Sequence, residues 1–209
     1  MASEGSPHFN QISFKGELVR KATHMFALVI PGGYYFLGLS RAEALFIMVP
    51  ITFLMFMIDI SRFRDGLLWK AFSRKFVLIM IREHESAGDF TGAAYILMSS
   101  CFAIAFYEKP VAVAALAFII VGDTLAALIG RKFGRHKFGN KSVEGSLGCL
   151  AGTILVALAA PGLALTVGLL GAVTATVVEA LSTRIDDNVT VPVISGLVMS
   201  IFIRILSAF

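Results

Sequence analysis

Hydrophobic and polar positions along this chain segregate into long blocks. Apolar runs occupy roughly 23–39, 42–60, 92–107, 110–130, 146–160, 162–181 and 190–207. A hydrocarbon core takes about 20 apolar residues per helix, a length the shorter runs reach only by extending into their flanks. The pattern predicts an all-α, polytopic membrane bundle of about seven transmembrane helices. Between 61 and 91, Trp69, Phe72, Phe76, Ile79 and Met80 recur at helical spacing with Lys70, Arg74 and Lys75 interleaved. Either an interfacial amphipathic helix or an extension of a neighbouring span has that spacing, so six or eight spans also fit. Small residues four apart, at Gly122, Ala126 and Gly130 and again at Gly168 and Ala172, predict helices that approach closely.

Composition sharpens this picture. Hydrophobic residues make up 57% and charged ones 15%, where soluble domains carry about 25% charged residues. A mean hydropathy of +0.82 agrees. Residues 1–11 lack the basic-then-apolar pattern of a cleaved signal. We therefore expect a flexible cytoplasmic tail over 1–14 and a single transmembrane domain over 15–209. With the N-terminus inside, one membrane face receives the tail, 61–91, 131–145 and 182–189, and with them most of the cations. The opposite loops carry Arg41 and Lys109. This asymmetry predicts an N-in, C-out topology. It also explains the net charge of +4 without a nucleic-acid partner. Cys101 and Cys149 lie in apolar runs, outside any metal-ligand spacing.

The candidate chemistry gathers in four places. Glu17, Lys21 and His24 share one helical stripe, with Arg20 beside it; a plain Glu–Lys pair with basic membrane anchors explains the same residues. Asp123 sits inside an apolar run, where an ionised carboxylate costs on the order of 2.5–3.5 kcal/mol at mid-membrane. It is either functional or paired with Lys141 or Arg131. After it come Gly130, Arg131, Gly134, Lys141, Ser142, Glu144 and Gly145, a basic, glycine-bearing loop. Cations and exposed backbone N–H groups suit a polyphosphate, and nearby carboxylates suit its Mg²⁺. The stretch Gly134 to Ser142 misses the P-loop spacing by one residue and follows no strand, which excludes a P-loop fold. Third, Glu179 lies on a crowded helix face with Thr176, Ala175, Ala172 and Gly168, as a ligand or as a hydrogen-bonding partner of another helix. Fourth, Asp186-Asp187-Asn188 offers hard oxygens for Mg²⁺ or a turn with a helix cap.

Taken in order, Glu17-x-x-Arg20-Lys21-x-x-His24, Gly122-Asp123-x-x-Ala126-x-x-x-Gly130-Arg131-x-x-Gly134, Lys141-Ser142-x-Glu144-Gly145-Ser146 and Glu179-x-x-Ser182 leading to Asp186-Asp187-Asn188-x-x-x-Pro192 resemble the dolichol kinase, phytol kinase and yeast-type diacylglycerol kinase family. The resemblance spans most of the chain. It implies an integral-membrane, CTP-dependent kinase that phosphorylates a membrane lipid alcohol with Mg²⁺. Some eukaryotic dolichol kinases are much longer, so the substrate of no single member carries over. Phosphatidate cytidylyltransferases share several of these elements but add a Pro-Gly-His-Gly-Gly run near the C-terminus. Here that region reads Ile185-Asp186-Asp187-Asn188-Val189-Thr190-Val191-Pro192-Val193, which favours the kinase.

On that resemblance the nucleotide site comprises Arg20, Lys21, Gly130, Arg131, Gly134, Lys141, Ser142 and Gly145. Asp123, Asp186, Asp187 and Asn188 are the expected metal ligands. Asp123, Lys141, Glu144, His24 and Glu179 are the catalytic candidates, with His24, Glu144 or Glu179 orienting or deprotonating the hydroxyl. The acceptor enters from the bilayer and CTP from the cytoplasmic face. CDP-lipid synthesis is the alternative. An ion-coupled transporter would instead place polar residues near the midplane of several spans.

Overall fold

A computed structural model describes residues 14–64, 66, 89–182 and 185–208. The described chain is helical: α1 (Phe14–Phe26), α2 (Val29–Phe36), α3 (Arg41–Phe63), α4 (Gly92–Phe106), α5 (Lys109–Phe133), α6 (Val143–Ala159), α7 (Leu165–Leu181) and α8 (Asp187–Leu206). The all-α expectation holds, with one addition. A short antiparallel hairpin, β1 (Lys137–Phe138) and β2 (Lys141–Ser142), folds out of the basic loop, pairing Lys137 with Ser142 and Phe138 with Lys141. Gly139 takes φ +57 at its tip, a left-handed conformation that glycine adopts without a Cβ clash.

α3, α5 and α8 are long and apolar enough to cross a membrane; α4, α6 and α7 are shorter apolar helices. Outward faces carry Phe36, Phe46, Phe106 and Leu181, each more than two-thirds exposed. Such a surface suits lipid, and with the long helices it marks a membrane protein. The first apolar run, 23–39, is not one helix. It breaks at Ala27–Leu28, between α1 and α2. Pro31 has no N–H to give the Ala27 carbonyl, which accepts from Ile30 instead at 2.9 Å. The amphipathic stretch expected over 61–91 lies mostly outside the described residues.

The centre of the bundle is α5. It packs against α1, α2, α4, α6, α7 and α8, burying Ala112, Ala115, Leu116 and Phe118 completely. Its neighbours are tied at both ends. At the end where α5 starts, Arg41 donates to the Tyr107 carbonyl at 2.9 Å and Lys109 to the Leu39 carbonyl at 2.5 Å. A capping box between Ser40 and Glu43 starts α3 there. At the other end the buried Asp59 carboxylate accepts from Thr91 N (2.8 Å), Thr91 Oγ1 (2.9 Å) and Arg62 Nε (3.3 Å). That joins the end of α3 to the start of α4.

Candidate functional site

Two ion-paired clusters form at the end of the bundle where α5 finishes. In the first, Lys21 of α1 reaches across to Asp123 of α5 and is almost wholly buried. His24, one turn further along α1, brings Nε2 to 3.5 Å from the same carboxylate oxygen. Nε2 makes no hydrogen bond among the described residues.

In the second, Lys141 of β2 donates to both the carbonyl and the carboxylate (Oε1, 2.6 Å) of Glu179 at the end of α7. Its Nζ stands 3.7 Å from Asp187 in the first turn of α8. Asp187 also lies within electrostatic reach of Lys21, which links the two clusters. Asp186 caps α8, its Oδ1 accepting from Asn188 N (2.9 Å) and Nδ2 (2.7 Å). That grip on the amide nitrogen fixes which way Asn188 points, because a carboxylate accepts and an amide oxygen cannot donate. Asn188 Oδ1 and Glu179 Oε2 are buried and make no hydrogen bond among the described residues.

The sequence-predicted residues thus divide. Lys21, His24, Asp123, Lys141, Glu179, Asp187 and Asn188 converge. Arg20 joins them on α1, interacting electrostatically with Asp123. Asp123 pairs with Lys21, not with Lys141 or Arg131 as a structural reading would have it. Arg131 lies in the last turn of α5. The glycines of the loop serve the junction of α5 with α6. A Cβ on Gly145 would stand 2.9 Å from the Ala126 carbonyl, and one on Gly130 would meet Ser142 Oγ at 3.0 Å. Ser142 fills that junction and caps α6 by accepting from Gly145 N at 3.1 Å. Gly134 ends α5 against the same hydroxyl. Glu144 turns to the hairpin: its carboxylate holds His136 Nδ1 at 2.7 Å and accepts from His136 N. The His136 ring and backbone N–H groups draw the Glu144 carboxyl down to about 2.

Among the described residues no three His, Cys, Asp or Glu side chains converge to hold a bare metal ion. Mg²⁺ commonly binds through one or two carboxylates plus substrate phosphates, so a preformed cage is not its signature. The two unpartnered buried oxygens, Asn188 Oδ1 and Glu179 Oε2, fit an ion that arrives with phosphate.

Sequence reasoning missed what adjoins this end. A groove of about 640 Å³ opens between α1, α2, α3 and α4. Arg20, Thr23, His24, Thr91 and Asn188 form its head, and Ile30, Gly33, Met48, Ile96, Leu97 and Ile104 are among its apolar walls. Its lining comes from five helices, α8 adding Asn188 at the head, and its walls are apolar like any bundle interior, so no local pattern marks it.

Fold and site together define a membrane protein with a charged, ion-paired end over an apolar groove. A CTP-dependent diacylglycerol kinase of Schizosaccharomyces pombe is 29% identical to this chain, covering 90% of it and 94% of the fungal protein. A chloroplastic farnesol kinase of Arabidopsis thaliana is 32% identical over 51% of this chain and 41% of its own. An uncharacterised protein of Rickettsia prowazekii is 26% identical over 92% of this chain and 98% of its own. No protein-family model and no solved structure matches the chain. The relatives bear out the resemblance read from the motifs: the chain is a homologue of the lipid-alcohol kinases.

Proposed function

We propose that this protein is a multi-pass, Mg²⁺-dependent kinase that moves the γ-phosphoryl group of CTP to the hydroxyl of a membrane lipid alcohol. The described helices would form one transmembrane kinase domain with its charged end at the cytoplasmic face. One observation carries the reading: the ion-paired clusters and the head of the apolar groove share His24, Arg20 and Asn188. A soluble donor and a membrane-held acceptor could therefore meet there.

Phosphoryl transfer asks a protein for positioning and charge neutralisation. Arg20, Lys21, Arg131 and Lys141 supply cations for the phosphates, and Ser142 with Gly130, Gly134 and Gly145 shapes the loop beneath them. Asp123, Asp186, Asp187 and Asn188 would hold Mg²⁺, which when bound neutralises charge on the β- and γ-phosphates. The lipid oxygen bonds to the γ-phosphorus as the bond to the bridging β,γ-oxygen breaks, and CDP leaves. Of the three candidate bases, His24 lines the groove. Its Nε2 is therefore the group we assign to take the hydroxyl proton. Glu179 orients Lys141 through Oε1 and leaves Oε2 for the ion, and Glu144 holds the hairpin.

CTP labelled at the γ-phosphate tests this in vesicles that contain protein, lipid alcohols, phosphatidate and Mg²⁺. The expected result is label on lipid. Label in pyrophosphate would make the protein a cytidylyltransferase, and label on neither would leave the reading without support.

A further inference from the structure

We propose that the β1–β2 hairpin is a lipid-contact element that gathers anionic phospholipid headgroups around the charged end of the bundle. This contact goes beyond the phosphoryl transfer proposed above and does not depend on it.

The depth of the hairpin follows from α6. Along that helix Val143, Leu147, Ala151, Leu155 and Leu158 are exposed, spaced three or four residues apart and therefore on one face. The opposite face, with Gly145, Gly148 and Gly152, is buried. An exposed apolar stripe along the whole of an apolar helix suits lipid chains. Val143 heads the stripe, and its N–H donates to the His136 carbonyl at 3.0 Å. The hairpin is thus fastened to the top of a lipid-facing surface. The headgroup layer reaches about 5–8 Å beyond the hydrocarbon on each side, and a two-residue strand is about 7 Å long. The hairpin therefore lies at headgroup depth.

Charge then selects the headgroup. Lys132, Arg135 and Lys137 are exposed, and their side chains pair with no carboxylate among the described residues. Between Arg131 and Gly145 the lone acidic residue is Glu144, and His136 occupies it. Lys137 pairs across the hairpin with Ser142, and Phe138 with Lys141. Neighbours on a strand point to opposite faces, so Lys137 leaves the hairpin on the face away from Lys141. The nucleotide reading uses Lys141 and has no task for Lys137.

Aromatic rings complete the pattern. Phe133 and Phe138 are exposed among these cations, and Lys132 Nζ stands 5.2 Å from the centre of the Phe133 ring. Rings beside cations suit an anionic leaflet, where rings enter the acyl boundary and cations meet phosphates. A bare orientation signal needs the charges alone.

Brominated lipids quench a tryptophan they touch, so they report which lipids surround the hairpin. The reporter is Phe133→Trp in a Trp69→Phe background, Trp69 being the single tryptophan of the chain. The protein is held in phosphatidylcholine vesicles with the same minor fraction of either brominated phosphatidylglycerol or brominated phosphatidylcholine. Brominated phosphatidylglycerol should quench at least about twofold more at low salt, and the excess should shrink as salt screens the cations. Lys132→Gln/Arg135→Gln/Lys137→Gln should lose the excess and keep the quenching by phosphatidylcholine, which shows the chain still embedded. Saturating CTP with Mg²⁺ should leave the excess in place. Equal quenching by the two lipids, or an excess that survives the triple substitution, would overturn the proposal. Relief of the excess by CTP would overturn it too, by returning these cations to the nucleotide. A failure of label transfer to lipid would overturn the kinase reading alone, since quenching needs no turnover.

Discussion

Neutralising Asp123 strands the buried ammonium of Lys21 without its counter-ion. Breaking one side of a buried pair costs about 3–5 kcal/mol, so Asp123→Asn should lower the melting temperature as well as abolish phosphoryl transfer. Replacing both partners with apolar residues of similar size is often neutral. The double variant Lys21→Met/Asp123→Leu should therefore regain most of the lost stability and none of the activity. Thermal melts in detergent and label-transfer assays on the same samples check this; activity that returns with stability would make the pair a structural staple. At this scale the sequence was legible in kind and not in pairing. A carboxylate inside an apolar run requires a cation, and several stood within reach of the argument. The choice of Lys21 depends on α1 lying against α5, a contact between segments a hundred residues apart. Lys141 goes to Glu179 for the same reason.

Helix ends and junctions decide the next scale. The start of α6 approaches α5 so closely that Gly145 has no room for a side chain. Gly145→Ala should destabilise the protein by about 1–3 kcal/mol, the usual cost of overpacking, read as a fall in melting temperature. An unchanged melt would contradict this junction. The hairpin depends on Glu144 and His136. The Glu144 carboxyl titrates below its ordinary value of 4.5, at about 2, so its contribution is complete above pH 4.5 and fades as pH falls toward 2. Glu144→Gln should flatten the acid side of the stability–pH curve in that window; a curve of unaltered shape would sink the clip. Apolar run length located most of the helices, and spacing of small residues anticipated the tight packing at Gly122, Ala126 and Gly130. The break at Ala27–Leu28 escaped it, because hydropathy averages over a proline that the backbone cannot. The hairpin escaped it too, since two-residue strands have no period to detect.

For the molecule as a whole, charge asymmetry along the sequence anticipated the polarity of the bundle. The basic loop, the Lys21 stripe and the Asp186–Asn188 turn gather at one end, while Arg41 and Lys109 tie the other. The groove was illegible because it is a space between helices. The proposed kinase needs this charged end to grip a metal-bound triphosphate. Calorimetric titration of CTP into the detergent-held protein, with Mg²⁺ and then with excess chelator, tests it most directly. The comparison protein is Lys141→Met/Glu179→Gln, which leaves neither partner of that pair charged. Binding should need Mg²⁺ and weaken about tenfold or more in the variant, a loss of at least about 1.4 kcal/mol. CTP affinity that ignores both the chelator and the double substitution would contradict it.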